Sequence, residues 1–193
     1  MTTYILQGGN TKAVSANTNL FFKQFTDSVP KEHVTILLCY FAREKGKWSK
    51  LFERDKTRIC EQSTKSIDVQ MVNSPENLPT QLQKADVLYV GGGEEHNLRP
   101  YVAHLSFLKD ALKNKVYIGS SMGAFLVSRH YVLSFVRQDM SRVYDGLGLI
   151  PYNTLCHWNI ETHKDKKTAM LHEKDPQTPL LLIEEQKFKT VIL

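Results

Sequence analysis

The sequence predicts an α/β fold in three layers, α/β/α, with helices on both faces of a mostly parallel central sheet. Three observations carry this reading. Between residues 4 and 127, short apolar runs alternate with segments whose apolar residues recur at helical spacing. The clearest run, residues 34–41, is apolar without alternation, as expected of a strand buried on both faces. Two further runs end directly in glycine-rich turns, Gly91-Gly92-Gly93 and Gly119-Ser120-Ser121-Met122-Gly123, and ligands of parallel sheets bind beyond such strand ends. A chain of 193 residues is long enough for one domain, 1–193, with a substantial core.

Taken in order, residues 4–6 form a short strand ending in the loop signal Gln7-Gly8-Gly9-Asn10. Asn17 can cap a helix carrying Leu20, Phe21, Phe25 and Val29, which Pro30 closes. The strand at 34–41 gives way to a charged loop at 42–47 and to a second helix marked by Trp48, Leu51, Phe52 and Ile59. Residues 67–72 read as a third strand, 76–84 as a short helix and 86–90 as a fourth strand. One long amphipathic helix is expected over 94–113, with Leu98, Tyr101, Val102, Leu105, Leu108 and Leu112 on one face. Val116, Tyr117 and Ile118 form the fifth strand, followed by a helix at 124–127. Beyond it, 131–136 reads as a strand, 138–142 as a polar loop, 145–151 as a glycine-punctuated turn and 162–172 as a helix. Residues 179–183 and 188–193 are expected to pair as a terminal hairpin, and the apolar end of the chain to be packed or shortened.

Composition narrows the function. Hydrophobic content of 41% and charged content of 23% are those of a soluble globular chain. The net charge of +5 is spread over helix faces with no dense basic run interleaved with aromatics, so nucleic-acid binding is not expected. The longest apolar runs are of strand length, which argues against a signal peptide or a membrane span and for a cytoplasmic protein. Cys39, Cys60 and Cys156 have no metal or redox spacing and read as reduced thiols, Cys156 as a buried spectator beside His157. No metal or other cofactor is expected, and a homodimer stays open.

The turn at 119–123 fits G-x-S-x-G, a nucleophile elbow, in which a serine at a sharp strand-to-helix turn stands clear of the sheet. Its glycines suit positions where a side chain would collide with the turning backbone. The amide of Met122 then opens a helix, where unpaired N–H groups favour an oxyanion. Ser121 is the candidate nucleophile and needs a base within hydrogen-bond reach. Among the histidines, His33 precedes a strand and sits at the wrong sheet edge, while His104, His163 and His172 fall on helices. His96, His130 and His157 compete, and chain order in hydrolases with an elbow favours His157.

With these motifs, strand and Gly91-Gly92-Gly93, then the elbow through Ala124, then Asp145-Gly146-Leu147-Gly148-Leu149-Ile150 and Cys156-His157-Trp158, the chain resembles the peptidase E family. This is the S51 group of serine peptidases, including aspartyl dipeptidase and cyanophycinase, with a fold similar to class I glutamine amidotransferases and thus flavodoxin-like. The likeness runs from about Tyr4 to His157 and more loosely to Ile183. It implies Ser121 as nucleophile, His157 as base, and the amides of Gly93 and Met122 as oxyanion hole. One such donor is typically worth about 2.7–4 kcal/mol in the transition state. It also implies an acid between serine and histidine, where Asp139 occupies the comparable loop, with Asp145, a glutamate such as Glu184, or no acid as alternatives.

Two departures from the family bear on substrate. Where relatives follow the three glycines with Asn-Thr, this chain has Glu94 and Glu95. Their carboxylates suit the first turn of a helix, and together with Gly92 they are the candidate substrate contacts, placed to hold an ammonium group. Aspartyl dipeptidases use an arginine beyond the histidine, but residues 163–168 offer only lysines, which lack the planar fork that clamps a carboxylate. Strict specificity for N-terminal aspartate is therefore not expected, and the earlier chain end is expected to leave the pocket more open. The reading is a serine hydrolase for a short peptide or small amide, with a non-catalytic, ligand- or partner-binding relative as alternative. A glutamine amidotransferase would need cysteine where Ser121 stands.

Overall fold

The computed structural model describes residues 1–133 and 142–193. Its first part alternates β1 (Thr3–Gln7), α1 (Ala16–Asp27), β2 (His33–Cys39), α2 (Trp48–Gln62), β3 (Ser66–Met71), α3 (Leu78–Lys84) and β4 (Val87–Val90). Next come α4 (Glu95–Val102), α5 (Leu108–Ala111), β5 (Val116–Ser120) and α6 (Met122–Val127). The later part contains β6 (His130–Tyr131), β7 (Tyr144–Asp145), β8 (Asn153–Leu155), α7 (Lys164–Lys174), β9 (Leu180–Leu182) and β10 (Phe188–Ile192).

Two sheets result. The larger has six strands in the order β10-β1-β5-β4-β2-β3, parallel throughout except for β10, which runs antiparallel to β1. Every residue of β4 and β5 is buried, which is why those strands read as unbroken apolar runs. Crossovers from β1 through β3 run one way along the sheet and those through β4 to β5 run back. With right-handed connections, this order puts α1 and α2 on one face and α3 to α5 on the other. That reversal falls between β2 and β4, and it opens a crevice outside their C-terminal ends. The smaller sheet has four strands, β7-β6-β8-β9, with β6, β8 and β9 parallel. Among the described residues no helix is long and apolar enough to cross a membrane.

The α/β architecture is the one the alternation predicts, and three local expectations are corrected. Ser15 rather than Asn17 caps α1; its extended backbone lets Oγ accept from the Thr18 amide at 3.2 Å. The long helix over 94–113 is divided into α4, a 3₁₀ turn at Ala103–Leu105 and α5. Pro100 lies within α4 and has no N–H for the helical ladder, yet the predicted apolar face survives, with Leu98, Leu105, Leu108 and Leu112 all buried. The terminal hairpin does not form. β9 pairs with β8, the chain turns through Gln186 at φ 66°, and β10 covers the otherwise open edge of β1, with Tyr4 opposite Val191. Half of the strand expected at 131–136, residues 134–136, lies outside the described residues.

Candidate active site

β5 delivers Ser121 to the C-terminal edge of the larger sheet. Ser121 has φ 49° and ψ −105°, a strained conformation for a residue with a side chain and the one a strand-to-helix elbow needs. Its amide donates to the Gln7 carbonyl at 2.9 Å, tying the elbow to the end of β1. α6 starts at once, and a Cβ on Gly123 would lie 2.0 Å from the Val90 carbonyl oxygen, so only glycine lets the elbow pack against β4. The amides of Met122 and Gly123 open α6 with no preceding turn to bond to.

The smaller sheet brings the imidazole. Ser121 Oγ and His157 Nε2 are 3.0 Å apart, and His157 is buried, just past the end of β8. His157 Nδ1 lies 2.8 Å from Glu185 Oε1. A proton on Nδ1 donating to this carboxylate leaves Nε2 to accept from the serine hydroxyl. Glu185 is itself held: Asn10 Nδ2 donates to its Oε2 at 2.9 Å, and its amide donates to Asn159 Oδ1 at 2.7 Å. Register explains the meeting. Leu155 pairs with Leu182 in parallel, so residues a short step past both strands share one edge, where the Ile183 amide donates to Leu155 and the Trp158 amide to Ile183.

The loop after β1 packs over the imidazole. Gly9 has φ 109°, and a Cβ there would lie 2.1 Å from His157 Cε1. The Gly8 carbonyl accepts from the His157 amide at 3.0 Å, and the Gly9 carbonyl from Gln186 at 2.9 Å. The buried Gln7 side chain closes this arrangement. Its Oε1 accepts from the Gly9 amide at 2.8 Å and from Ser120 Oγ at 2.7 Å.

A cavity of about 720 Å³ opens above these groups, lined among others by Gly92, Gly93, Ser121, Met122, His157 and Glu185. Glu94 lines it too, but Glu95 does not. Glu95 is buried with its carboxylate bidentate on Arg99, at 2.8 and 2.5 Å, which is the structural use of an acid in the first turn of α4. The cations lining the cavity are Lys12, Arg43 and Arg54. The lysines of 163–168 are elsewhere: Lys164 lies over the Trp158 ring at 5.0 Å, and Lys167 is fully buried against Glu161. Burial alone would raise the Glu161 carboxyl, but hydrogen bonds from Lys167 and the His163 amide, with the Lys167 charge, hold it below the usual range.

The other candidates are dispersed. Asp139 lies outside the described residues. Asp145 meets His130 Nδ1 at 2.8 Å, which occupies both the alternative acid and a rival base, and Glu184 pairs with Lys187 at 2.5 Å. His33, His96, His104, His163 and His172 are exposed. Cys156 is buried, and burial pushes its thiol far up, away from any thiolate role. Sequence reasoning missed Glu185, Asn10 and Gly9. The family resemblance implied an acid between Ser121 and His157, and Glu184 was the one glutamate named beyond the histidine. The available signal was the pair Glu184-Glu185 just after a strand at 179–183, together with a glycine loop ending β1 at the same edge.

With the geometry in place, the comparisons with known proteins are consistent with one another. The model of "Peptidase family S51" matches residues 5–191. A curated relative, an uncharacterised peptidase of Listeria monocytogenes serovar 1/2a, is 29% identical over 97 residues, 46% of this chain and 47% of the relative. The match thus spans about half of that relative's length. Among solved structures, a proposed peptidase E protein from Listeria monocytogenes EGD-e has a TM-score of 0.63 at 20% identity, over 100% of this chain and 99% of that one. A peptidase from an acI-B1 actinobacterium has a TM-score of 0.64 at 15% identity, over 98% of this chain and 83% of that one. At these identities the likeness is one of fold.

Proposed function

This chain belongs to peptidase family S51, and on that premise we propose that it is a serine peptidase acting on short peptides or small amides through Ser121, His157 and Glu185. The observation that carries the reading is the unbroken line of contacts from Ser121 Oγ to His157 Nε2 at 3.0 Å and from His157 Nδ1 to Glu185 at 2.8 Å. Ser121 Oγ attacks the scissile carbonyl carbon and its proton passes to His157 Nε2. Glu185 keeps the imidazole in the required tautomer and stabilises the imidazolium that forms. The amides of Met122 and Gly93 receive the oxyanion, each contributing about 2.7–4 kcal/mol. His157 then gives its proton to the departing amine, and a water activated by the same base releases the acyl group from Ser121.

Glu185 takes the role that the family resemblance suggested for Asp139, and Glu94 with Gly92 remains beside the reacting carbonyl as a substrate contact. The test is intact-protein mass spectrometry after treatment with a small uncharged fluorophosphonate. One adduct is expected on wild type and none on Ser121→Ala or His157→Ala. Peptide turnover by Ser121→Ala should fall by about 10⁴-fold or more. No adduct on folded wild type would reject the hydrolase in favour of a ligand-binding member of the family.

A further inference from the structure

Beside the cavity over Ser121 lies a second one of about 340 Å³, lined by Arg43, Lys47, Lys50, Leu51 and Arg54. Arg43, Leu51 and Arg54 line both, so the second cavity is a groove that shares a wall with the first. Its walls come from the loop after β2 and the first turns of α2, at the crevice where the crossovers reverse. The first turn of α2 carries no acidic residue, and no side chain caps it. Glu44 reaches Lys47 at 3.0 Å and Asp55 holds Arg54, so the four cations outnumber these two carboxylates.

Two of the cations are fixed in position. Arg43 Nε donates to the Gly92 carbonyl at 2.6 Å, which couples the groove to the glycine loop beside Ser121. Arg54 Nε and one terminal nitrogen both lie on Asp55 Oδ1, at 2.8 and 2.6 Å, and the fully buried Asp55 is held from its other oxygen by Tyr40 Oη at 3.0 Å. Held this way, the guanidinium keeps its remaining N–H groups for a ligand in the shared wall, at little cost in side-chain entropy. Leu51 supplies the apolar floor.

We infer that this groove is a carboxylate-binding subsite, and that the preferred substrates are short peptides carrying a carboxylate that Arg43, Lys47, Lys50 and Arg54 hold while the scissile amide lies at Ser121. The assignment rests on the serine-peptidase reading of the neighbouring cavity. The carboxylate has two sources, the C-terminus of the peptide or an acidic side chain, and they share this chemistry. The lysines at 163–168 have no part in it, since they line neither cavity.

The experiment is calorimetric titration of the folded Ser121→Ala protein, which cannot turn over substrate, with Ala-Ala-Glu, its C-terminal amide, Ala-Ala-Gln and the amide of Ala-Ala-Gln. Ala-Ala-Glu is expected to bind at least about tenfold more tightly than the fully neutralised peptide, as charge-assisted hydrogen bonds to a held cation require. Of the two singly neutralised peptides, the one that loses the affinity identifies the source. The paired exposed changes Lys47→Gln and Lys50→Gln, and separately Arg54→Lys, which keeps a charge for Asp55 but loses the guanidinium fork, should each reduce that ratio by about threefold or more. Equal affinity for all four peptides, no binding by any of them, or a ratio that these substitutions leave intact would overturn the subsite. Fluorophosphonate labelling of wild type reads the hydrolase separately, so a labelled protein without carboxylate preference rejects the subsite alone.

Discussion

The two sheets deliver their chemistry in the same way and are held together differently. Both present functional groups just past the C-terminal ends of parallel strands, Ser121 from the larger sheet, His157 and Glu185 from the smaller. β4 and β5 are buried at every residue, so the position of Ser121 follows from hydrophobic packing on both faces. The smaller sheet has strands of two or three residues; β8, which leads to His157, is buried at every residue, whereas β9, which leads to Glu185, is only half-buried. Its alignment depends on individual polar contacts: the Asn10–Glu185–Asn159 ties, the Gly9 packing and the buried Lys167–Glu161 pair. Ser121 and His157 are therefore seated by buried strands, and Glu185 by a few specific bonds.

The sharpest challenge to this division is Glu185→Gln. Removing the charge that orients His157 should lower kcat by about 10³–10⁴-fold, while Glu184→Gln changes it by less than about twofold. If Asp139→Asn carried the loss instead, the acid would come from outside the edge of the smaller sheet, and the division would fail there. Next in size is Glu161→Gln. It leaves Lys167 buried without its charge partner and should cost about 3–5 kcal/mol of stability in denaturant unfolding at neutral pH. Because the Glu161 carboxyl is held below its ordinary value in the folded state, its contribution is present above about pH 4.5 and is lost as the pH falls through the folded value. The stability gap between wild type and Glu161→Gln should accordingly narrow in acid, and a gap constant down to pH about 3 would dissociate this pair from the stability of the region. The smallest effect is expected from Gly9→Ala, whose Cβ would displace the His157 ring. A shift of about 1 Å should lower kcat about 10²-fold, and unchanged kcat would mean that the imidazole is positioned by Glu185 alone.

The two regions were also unequally legible. β1 to β5 and the elbow could be read directly because apolar runs, glycine turns and helical periodicity are local signals, and β1, β2, β4 and β5 are each specified by their own burial. Ser121 and His157 were legible for the same reason, one from G-x-S-x-G and the other from chain order and elimination. Glu185 was not. Its neighbour Glu184 is equally acidic and one residue nearer the strand, and contacts with residues distant in the chain, Asn10 and Asn159, hold Glu185 rather than Glu184 against the imidazole. Glu95 shows the reverse: as a first-turn acid it could be read either as a helix partner or as a substrate contact, and Arg99 one turn along settles its use.

By itself, then, the sequence determined the α/β class, the parallel core and the serine at its edge, since strand burial and turn geometry are set by residues adjacent in the chain. Tertiary structure alone decided which carboxylate meets the imidazole, which glycine seats against it and where the cationic groove lies. Those depend on which strand ends meet, and pairing between β8 and β9 or β1 and β10 joins residues separated by long stretches of chain whose order along the sheet no local pattern encodes.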